Sequence, residues 1–288
     1  MKPLDDNFKL PISQENLRVI TWNPSSSMVP IVAFHGWLDN AMSFQPLALK
    51  WPKQEIRAVE LPGHGLSFHK SRSAIYHFLD YVRVVHEYIT HQPTPVILMG
   101  HSLGAAVSSL AAGYLESHLR KLILIEGVGP LTQKDEEAGD QLGRFLSKYH
   151  INDSSKQDIP KNRTLEDFIK ARAKVGRIST ESARILMERN LTYSENGQLI
   201  WNSDYRLKWP SLVRLTESQV LSILSKVTTP TLLIKAKSGI LDDVTVNERL
   251  SAISATTVKR EIEGGHHLHM EKPSKVVAII KEYMNREG

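Results

Sequence analysis

Cysteine is absent from this chain of 288 residues. A protein without cysteine forms no disulfide and has no thiol nucleophile, no cysteine-ligated zinc and no iron–sulfur cluster. Residues 1–13 contain Asp5 and Asp6 and lack an apolar run, so we expect no secretory signal. We therefore predict a cytoplasmic protein, and a reducing compartment agrees with the absence of cysteine.

Long apolar segments are also scarce, and only one stretch resembles a membrane span. Residues 94–115 contain no Asp, Glu, Lys or Arg and are numerous enough to cross a bilayer. Glycines, serines and His101 interrupt the stretch, which divides into a strand-like run and an Ala/Ser-rich run. This pattern predicts a buried strand followed by a helix rather than a membrane span.

Charge of one sign is not in large excess, because the formal net charge is only +5. The densest basic patch covers residues 161–189 and also contains acidic side chains. No aromatic-rich basic run of the RNA-binding kind accompanies it. We interpret the patch as the solvated face of helices and expect no nucleic-acid partner.

Short apolar runs alternate with helical patterns in the first part of the chain. Continuous apolar runs occupy residues 30–34 and 95–99, and a further strand-like run, apolar after Lys121, occupies residues 121–125. Strands that are apolar throughout are typical of parallel sheets covered on both faces. Ahead of them, the runs 8–12 and 17–22 predict an antiparallel pair of strands.

The middle of the chain has a different character. Residues 131–227 are rich in charge and in helical patterns, and the strand–helix alternation resumes at Thr229-Pro230. We therefore predict an α/β core, residues 1–130 and 228–288, interrupted by a largely helical insertion over residues 131–227.

The motif GHSLG at residues 100–104 matches the pattern G-x-S-x-G. It lies between the strand-like run 95–99 and an Ala-rich helical pattern, and this strand–turn–helix context is that of a nucleophile elbow. Ser102 is therefore a candidate nucleophile. It would lie at the carboxyl edge of the sheet, where α/β folds bind ligands.

A serine hydroxyl needs a base beside it to act as a nucleophile at neutral pH. His266 follows the last predicted strand and so falls on the same sheet edge as Ser102. With His267 and His269 it also forms an H-H-x-H cluster that is dense enough in imidazole for a metal site. No carboxylate at ligand spacing accompanies the cluster, so we predict a base at His266 and no metal.

The segment His35-Gly36-Trp37 ends another predicted strand at this edge. A glycine there frees the main chain to turn its N–H groups inward. The main-chain amides of Trp37 and Leu103 are therefore candidates for an oxyanion hole. His35, Gly36 and His101 are candidate substrate contacts, and a plain strand-ending turn is the alternative.

Five motifs resemble those of the α/β-hydrolase superfamily, and more narrowly its serine-hydrolase-like branch: HGWLDN at 35–40, ELPGHGLS at 60–67, GHSLG at 100–104, EGVGP at 126–130 and GGHHLHM at 264–270. They occur in the family's order and span nearly the whole chain. The resemblance implies an α/β-hydrolase fold, with a mostly parallel sheet flanked by helices. It also implies a helical cap domain at the insertion and no cofactor.

The resemblance further implies an acidic partner for the histidine. Many members carry this acid after the strand that corresponds here to residues 231–234, where Asp242 and Asp243 come slightly late. Glu126 is the alternative, because haloalkane dehalogenase-like members take the acid from the end of the strand that corresponds to residues 121–125. An unpaired charge is costly to bury at such a position. We favour Glu126, and the two aspartates stay open.

The nucleophile narrows the chemistry that the resemblance implies. Serine suits acyl transfer, whereas the dehalogenase and epoxide-hydrolase branches use aspartate. We therefore predict a carboxylic-ester hydrolase that forms an acyl-enzyme on Ser102 and acts on a small-molecule ester. Trp201 and Trp209 of the insertion are candidate pocket residues, with packing of the cap against the core as the alternative.

Two other classes of function stay open at the level of the sequence. The same fold and residues serve cofactor-free C–C bond hydrolases, lyases and perhydrolases. A non-catalytic receptor or scaffold with the hydrolase fold is the other possibility.

Overall fold

Eight strands form one sheet in the computed structural model, which describes residues 2–150, 159 and 162–285. With a separate pair, β7 and β8, the described residues contain ten strands: β1 (Leu4–Lys9), β2 (Asn16–Trp22), β3 (Ile31–Phe34), β4 (Ile56–Val59), β5 (Val96–His101), β6 (Leu119–Ile125), β7 (Leu191–Tyr193), β8 (Leu199–Trp201), β9 (Thr231–Ser238) and β10 (Thr257–Gly265). The order across the sheet is β1-β2-β4-β3-β5-β6-β9-β10, and β7 pairs separately with β8. The strands β4, β3, β5, β6, β9 and β10 run parallel to one another, whereas β2 is antiparallel to both β1 and β4.

Helices cover both faces of this sheet. Within the described residues they are α1 (Gln45–Leu49), α2 (Phe78–Thr90), α3 (Leu103–Ala112), α4 (Ala138–His150), α5 (Leu165–Gly176), α6 (Thr180–Asn190), α7 (Glu217–Leu224), α8 (Asp243–Ala252), α9 (Leu268–Glu271) and α10 (Pro273–Met284). Helices α2, α3, α7 and α8 contribute to the hydrophobic cluster on one face. Helices α1, α9 and α10 contribute to the cluster on the other. The predicted α/β-hydrolase fold is confirmed.

The central strands are apolar on both faces because both faces are covered. Every residue of β3 and β5 is buried, and their side chains alternate between the two clusters. For example, Val32 packs on the first face and Ile31 on the second. Each buried aliphatic side chain contributes about 1.5–3 kcal/mol of transfer free energy, so these strands are the main anchor of the fold.

The amino-terminal strand pair differs from its prediction. The pair is antiparallel as expected, but β1 ends at Lys9 instead of covering residues 8–12. Pro11 has no N–H to donate to a neighbouring strand. The chain turns at this point, and the N–H of Gln14 donates to the carbonyl oxygen of Leu10 at 2.9 Å.

The predicted insertion, residues 131–227, contains helices α4 to α7 and strands β7 and β8. Helices α5 and α6 form a separate hydrophobic cluster that includes Ile169 and Leu186, and Met270 of the core joins it. Val220 of α7 instead packs in the first core cluster, beside α3 and α8. The division of the chain into core and cap stays a prediction.

Residues 94–115 fold into β5 and α3, as the sequence predicts. No helix in the part of the chain that the structure describes has both the length and the apolar character to cross a bilayer. Strands β3, β5, β6 and β10 are parallel, so their carboxyl ends meet at one edge of the sheet. The turns that follow these four strands carry most of the candidate site residues.

Candidate active site

Ser102 occupies the sharp turn between β5 and α3. Its φ of 51° and ψ of −113° are unusual for a residue with a side chain, and such strain is characteristic of functional turns. The turn needs a helix that approaches the sheet closely. A Cβ atom on Gly104 would lie 1.9 Å from the carbonyl oxygen of Phe34, so only glycine permits this approach. The serine hydroxyl thereby lies at the carboxyl edge of the sheet.

His266 follows directly after β10 and reaches the serine. Its Nε2 lies 2.9 Å from Ser102 Oγ, and its Nδ1 lies 3.1 Å from Glu126 Oε2. A carboxylate only accepts hydrogen bonds, so Nδ1 carries the ring proton and Nε2 accepts from the serine hydroxyl. One ring nitrogen of His266 therefore lies near each of these two side chains.

Glu126 lies at the end of β6 with a φ of 53° and a side chain that is almost fully buried. Its Oε1 accepts the main-chain N–H of Ala236 at 2.7 Å, and its Oε2 accepts that of Ile240 at 3.2 Å. A Cβ atom on Gly239 would lie 2.2 Å from Glu126 Oε2, so this loop must carry glycine to pack against the carboxylate. Main-chain dipoles therefore hold the charge in place.

The two alternative acids lie elsewhere. Asp242 caps helix α8, where its Oδ1 accepts the N–H of Thr245 at 2.8 Å, and this capping lowers the pKa of the carboxyl group. Asp243 forms ion pairs with Lys235 at 3.4 Å and Lys259 at 3.2 Å. Neither aspartate bonds to His266, and the structure brings Glu126 to the histidine instead. Its role as the acid of the reaction is a proposal, taken up below.

The two amides predicted for an oxyanion hole also lie at this edge. Leu103 is the first residue of α3, and Trp37 lies in the turn after β3. The contact between Gly104 and the end of β3 brings the two segments together. No acceptor among the described residues receives either N–H, so both remain available to a ligand. The indole Nε1 of Trp37 is used otherwise, since it donates to the carbonyl oxygen of Leu207 at 3.0 Å.

The predicted substrate contacts at His35 and His101 lie beneath the surface of the site. The His35 ring is fully buried, and it accepts from the N–H of Leu61 at 3.1 Å and donates to the carbonyl oxygen of Gly36 at 2.8 Å. His101 is also fully buried and donates through Nε2 to the carbonyl oxygen of His266 at 3.0 Å. For both rings, direct contact with a substrate stays a prediction.

Gly36 and the two tryptophans have packing roles in the structure. A Cβ atom on Gly36 would lie 2.9 Å from His101 Nδ1, so glycine makes room for that ring. Trp201 packs edge-to-face on Phe168, with ring centroids 5.2 Å apart. Trp209 packs among rings of the insertion, Phe145, Tyr149 and Tyr205. For both tryptophans, a role in the substrate pocket stays a prediction.

Three further histidine rings, those of His101, His267 and His269, lie close together beside His266. His267 Nε2 lies 3.2 Å from Asp39 Oδ2, and the His101 and His269 ring centroids are 4.0 Å apart. Burial lowers the pKa of His269 to about 3. Within the described residues, no group of three or more His, Asp or Glu side chains is arranged to hold a metal ion.

Asp39 and Arg172 were given no role by the sequence, yet the structure places them beside the histidines. Arg172 donates a hydrogen bond to Asp39, with 2.5 Å between Nη2 and Oδ1. Burial of Asp39 opposes its ionisation, but His267 and Arg172 nevertheless hold its pKa well below the usual value. Arg172 belongs to the basic patch 161–189, which the sequence analysis interprets as a solvated face. Arg172 and Asp39 are 133 positions apart in sequence, and no local pattern in either segment predicts their contact.

Comparison with known proteins agrees with this architecture. Residues 31–279 match the Alpha/beta hydrolase family. The chain is 31% identical to a probable serine hydrolase of Drosophila melanogaster, over 91% of this chain and 83% of that protein. It is 27% identical to a serine hydrolase-like protein of Danio rerio, over 100% of this chain and 91% of that protein.

A solved structure is similar over almost the same length. It is a hypothetical protein from Pseudomonas aeruginosa PAO1, 32% identical in sequence, with a TM-score of 0.85 over 98% of this chain and 99% of that chain. The predicted resemblance is thus confirmed by family, by relatives and by fold. The chain belongs to the alpha/beta hydrolase family and, within it, to the serine-hydrolase-like branch.

Proposed function

We propose that this hydrolase cleaves carboxylic esters through an acyl-enzyme on Ser102. The observation that carries the proposal is the His266 ring, which bridges Ser102 Oγ at 2.9 Å and Glu126 Oε2 at 3.1 Å. Nucleophile, base and orienting acid in this order are the arrangement that acyl transfer requires. The expected partner is a small-molecule ester.

The first half of the reaction forms the acyl-enzyme. Ser102 Oγ attacks the acyl carbon of the ester, and its proton passes to His266 Nε2 as the new C–O bond forms. Glu126 stabilises the resulting imidazolium and keeps the ring oriented. Because main-chain N–H groups fix this carboxylate, it is already in place before charge develops.

The attacked carbonyl oxygen becomes negatively charged in the tetrahedral intermediate. The amides of Trp37 and Leu103 are the donors proposed to receive it, and each such donor is worth about 3 kcal/mol in the transition state. Leu103 also begins helix α3, whose amino-terminal dipole favours negative charge. Collapse of the intermediate breaks the ester C–O bond, and the alcohol leaves with the proton from His266 Nε2.

The second half releases the acid. A water molecule gives a proton to His266 Nε2 and attacks the acyl carbon, and a second tetrahedral intermediate forms at the same donors. When it collapses, the proton returns to Ser102 Oγ and the carboxylic acid leaves. The residues of the chain end the cycle in the protonation states in which they began it.

Labelling with a fluorophosphonate tests this proposal, together with hydrolysis of p-nitrophenyl esters. We expect the wild-type protein to be labelled and to release p-nitrophenol. We expect Ser102→Ala to do neither, although it remains folded. Asp242→Asn is the control for an acid that lies outside the hydrogen-bonded chain, and it should react like the wild type.

Other outcomes point to the other classes of function. Cleavage of a diketone substrate without ester hydrolysis would replace the proposal by a C–C bond hydrolase on the same residues. A folded wild-type protein that resists the fluorophosphonate would favour a receptor or scaffold that keeps the hydrolase fold.

A further inference from the structure

Asp39 joins three parts of the chain that are far apart in sequence. Its carboxylate is buried, with 2% of the side chain exposed. Oδ1 accepts from Arg172 of helix α5, and Oδ2 lies 3.2 Å from Nε2 of His267, in the segment after β10. Asp39 itself belongs to the turn after β3. One ionic group therefore connects the insertion to two of the segments that build the candidate active site.

The turn after β3 carries the Trp37 amide, and its backbone conformation is not relaxed. Leu38 has a φ of 60°, which is strained for a residue with a branched side chain. The N–H of Asp39 closes the turn on the carbonyl oxygen of Gly36 at 3.1 Å. Asn190 of helix α6 donates to the carbonyl oxygen of Leu38 at 3.1 Å. Two helices of the insertion thus hold this turn in the conformation that directs the Trp37 amide.

The Asp39 carboxylate also holds the segment after β10, through His267. His267 follows His266 directly, so the contact between His267 and Asp39 fixes the chain beside the proposed base. On the other side, His101 donates to the carbonyl oxygen of His266 at 3.0 Å. A shift of Asp39 would therefore move the oxyanion turn and the His266 segment together.

Arg172 is the cation that stabilises the buried carboxylate of Asp39. A buried carboxylate that loses its cationic partner is strongly unfavourable, so it either takes up a proton or moves toward water. Arg172 reaches Asp39 from the insertion with 20% of its side chain exposed, and the same Nη2 lies 3.3 Å from His267 Nε2. Loss of the guanidinium therefore disturbs both contacts of the carboxylate.

We propose that Arg172 is a positioning residue: through its ion pair with Asp39, helix α5 of the insertion sets the placement of the Trp37 amide and of His266. This inference rests on the proposed function, because it assigns Arg172 a role in that same hydrolysis. It makes the insertion a part of the catalytic geometry, beyond any role in covering the site.

The test is the kinetics of fluorophosphonate labelling in Arg172→Met and Arg172→Lys. Varying the reagent concentration separates the maximal labelling rate, kinact, from the binding constant KI, and the final amplitude gives the fraction of protein that is able to react. We expect Arg172→Met to label to full amplitude with KI near the wild-type value and kinact lower by about 10- to 100-fold, since small misplacements cost up to about 10²-fold. Arg172→Lys keeps a cation and should be intermediate.

Two further variants serve as controls. Arg184→Met removes an equally charged side chain from the insertion, where it pairs with Glu166 in an exposed position, and it should label like the wild type. The double variant Arg172→Met with Asp39→Asn removes both charges, so no unpaired charge threatens folding. Because the ion pair is still missing, this double variant should remain slow at full amplitude.

The outcomes separate the inference from the proposed function. A wild-type kinact in Arg172→Met, or a loss of amplitude with an unchanged kinact, would overturn the inference and leave the proposed function standing. Recovery of the wild-type kinact in the double variant would overturn it too. An unlabelled wild-type protein would instead overturn the proposed function and this inference together.

Discussion

Among single residues, Glu126 has a carboxylate whose hydrogen bonds come from two main-chain amides and one imidazole. Glu126→Gln keeps the shape of the side chain but removes the charge that, in the proposed mechanism, stabilises an imidazolium at His266. We expect kcat/KM for a p-nitrophenyl ester to fall by about a hundredfold or more. Asp242→Asn should stay within about twofold of the wild type. The reverse pattern would assign the acid to Asp242.

His269 gives a prediction about pH and stability. Its ring is fully buried, and burial lowers its pKa to about 3 from the ordinary 6.5. The folded state thus keeps the ring neutral while the unfolded chain takes up a proton below pH 6.5, so stability is lost as the pH falls. This one group should remove about 2 kcal/mol of unfolding free energy between about pH 6.5 and about pH 4.5.

Urea denaturation at several pH values checks this expectation. His269→Leu should flatten the dependence of the unfolding free energy on pH by about that amount. Equal slopes for His269→Leu and the wild type would contradict the assignment.

Between elements, the close contact of α3 with β3 decides whether the sharp turn at Ser102 can form. Gly104→Ala would place a Cβ atom 1.9 Å from the carbonyl oxygen of Phe34, and main-chain atoms cannot give way cheaply. We expect the unfolding free energy to fall by about 1–3 kcal/mol or more. Fluorophosphonate labelling should also be lost. Thermal and urea unfolding measure the first effect.

The matched control is Gly143→Ala. Nothing lies within 4 Å of the Cβ position at Gly143, which is in the interior of helix α4. Because alanine favours helix over glycine, this variant should be more stable by up to about 1 kcal/mol. A similar stability loss in both variants would show that the close approach of α3 is not the cause.

The strand–turn–helix element around Ser102 could be predicted because its signal is local. Glycines on both sides of the serine, an apolar run before it and small residues after it are all adjacent in sequence. The sequence leaves the acid open between Glu126 and the two aspartates, because Asp242 and Asp243 come slightly late after the predicted strand 231–234. In the structure, β9 continues to Ser238, beyond the expected end at residue 234. That extension directs the N–H of Ala236 at Glu126, and no pattern in the strand itself indicates its length.

For the whole molecule, Arg189 ties the insertion to the core. It donates to Glu60 at 2.8 Å and to Asp5 of β1 at 2.7 Å, and Glu60 is fully buried. Arg189→Met would leave that carboxylate without its cation, so we expect a loss of about 3 kcal/mol of unfolding free energy. Denaturation in urea provides the measurement.

Two variants separate the effect of the buried charge from a general effect of removing arginine. The double variant Arg189→Met with Glu60→Gln removes the unpaired charge and should regain part of the lost stability. Arg184→Met breaks an exposed ion pair and should change the unfolding free energy by less than about 1 kcal/mol. A loss in Arg184→Met as large as in Arg189→Met would contradict the explanation.

Contacts between distant parts of the chain were the hardest to predict. The order of strands and helices follows from apolar runs and helical periodicity, which are local properties. The pairing of Arg172 with Asp39 depends on how the insertion lies over the turn after β3. The charge patterns of the two segments do not predict this pairing. The sequence therefore indicated the edge of the sheet where the site forms, but not the ion pair that braces it.

Ser102 and Glu126 come from successive strands, β5 and β6, joined by helix α3, so a single β–α–β unit brings them to neighbouring positions. The imidazole that connects them is translated 140 residues after the glutamate. While the polypeptide emerges from the ribosome, the Ser102 hydroxyl therefore lacks the base that the proposed mechanism assigns to it. In the mechanism proposed here, reactivity toward esters begins only when β10 joins the sheet edge and places His266 between the two side chains.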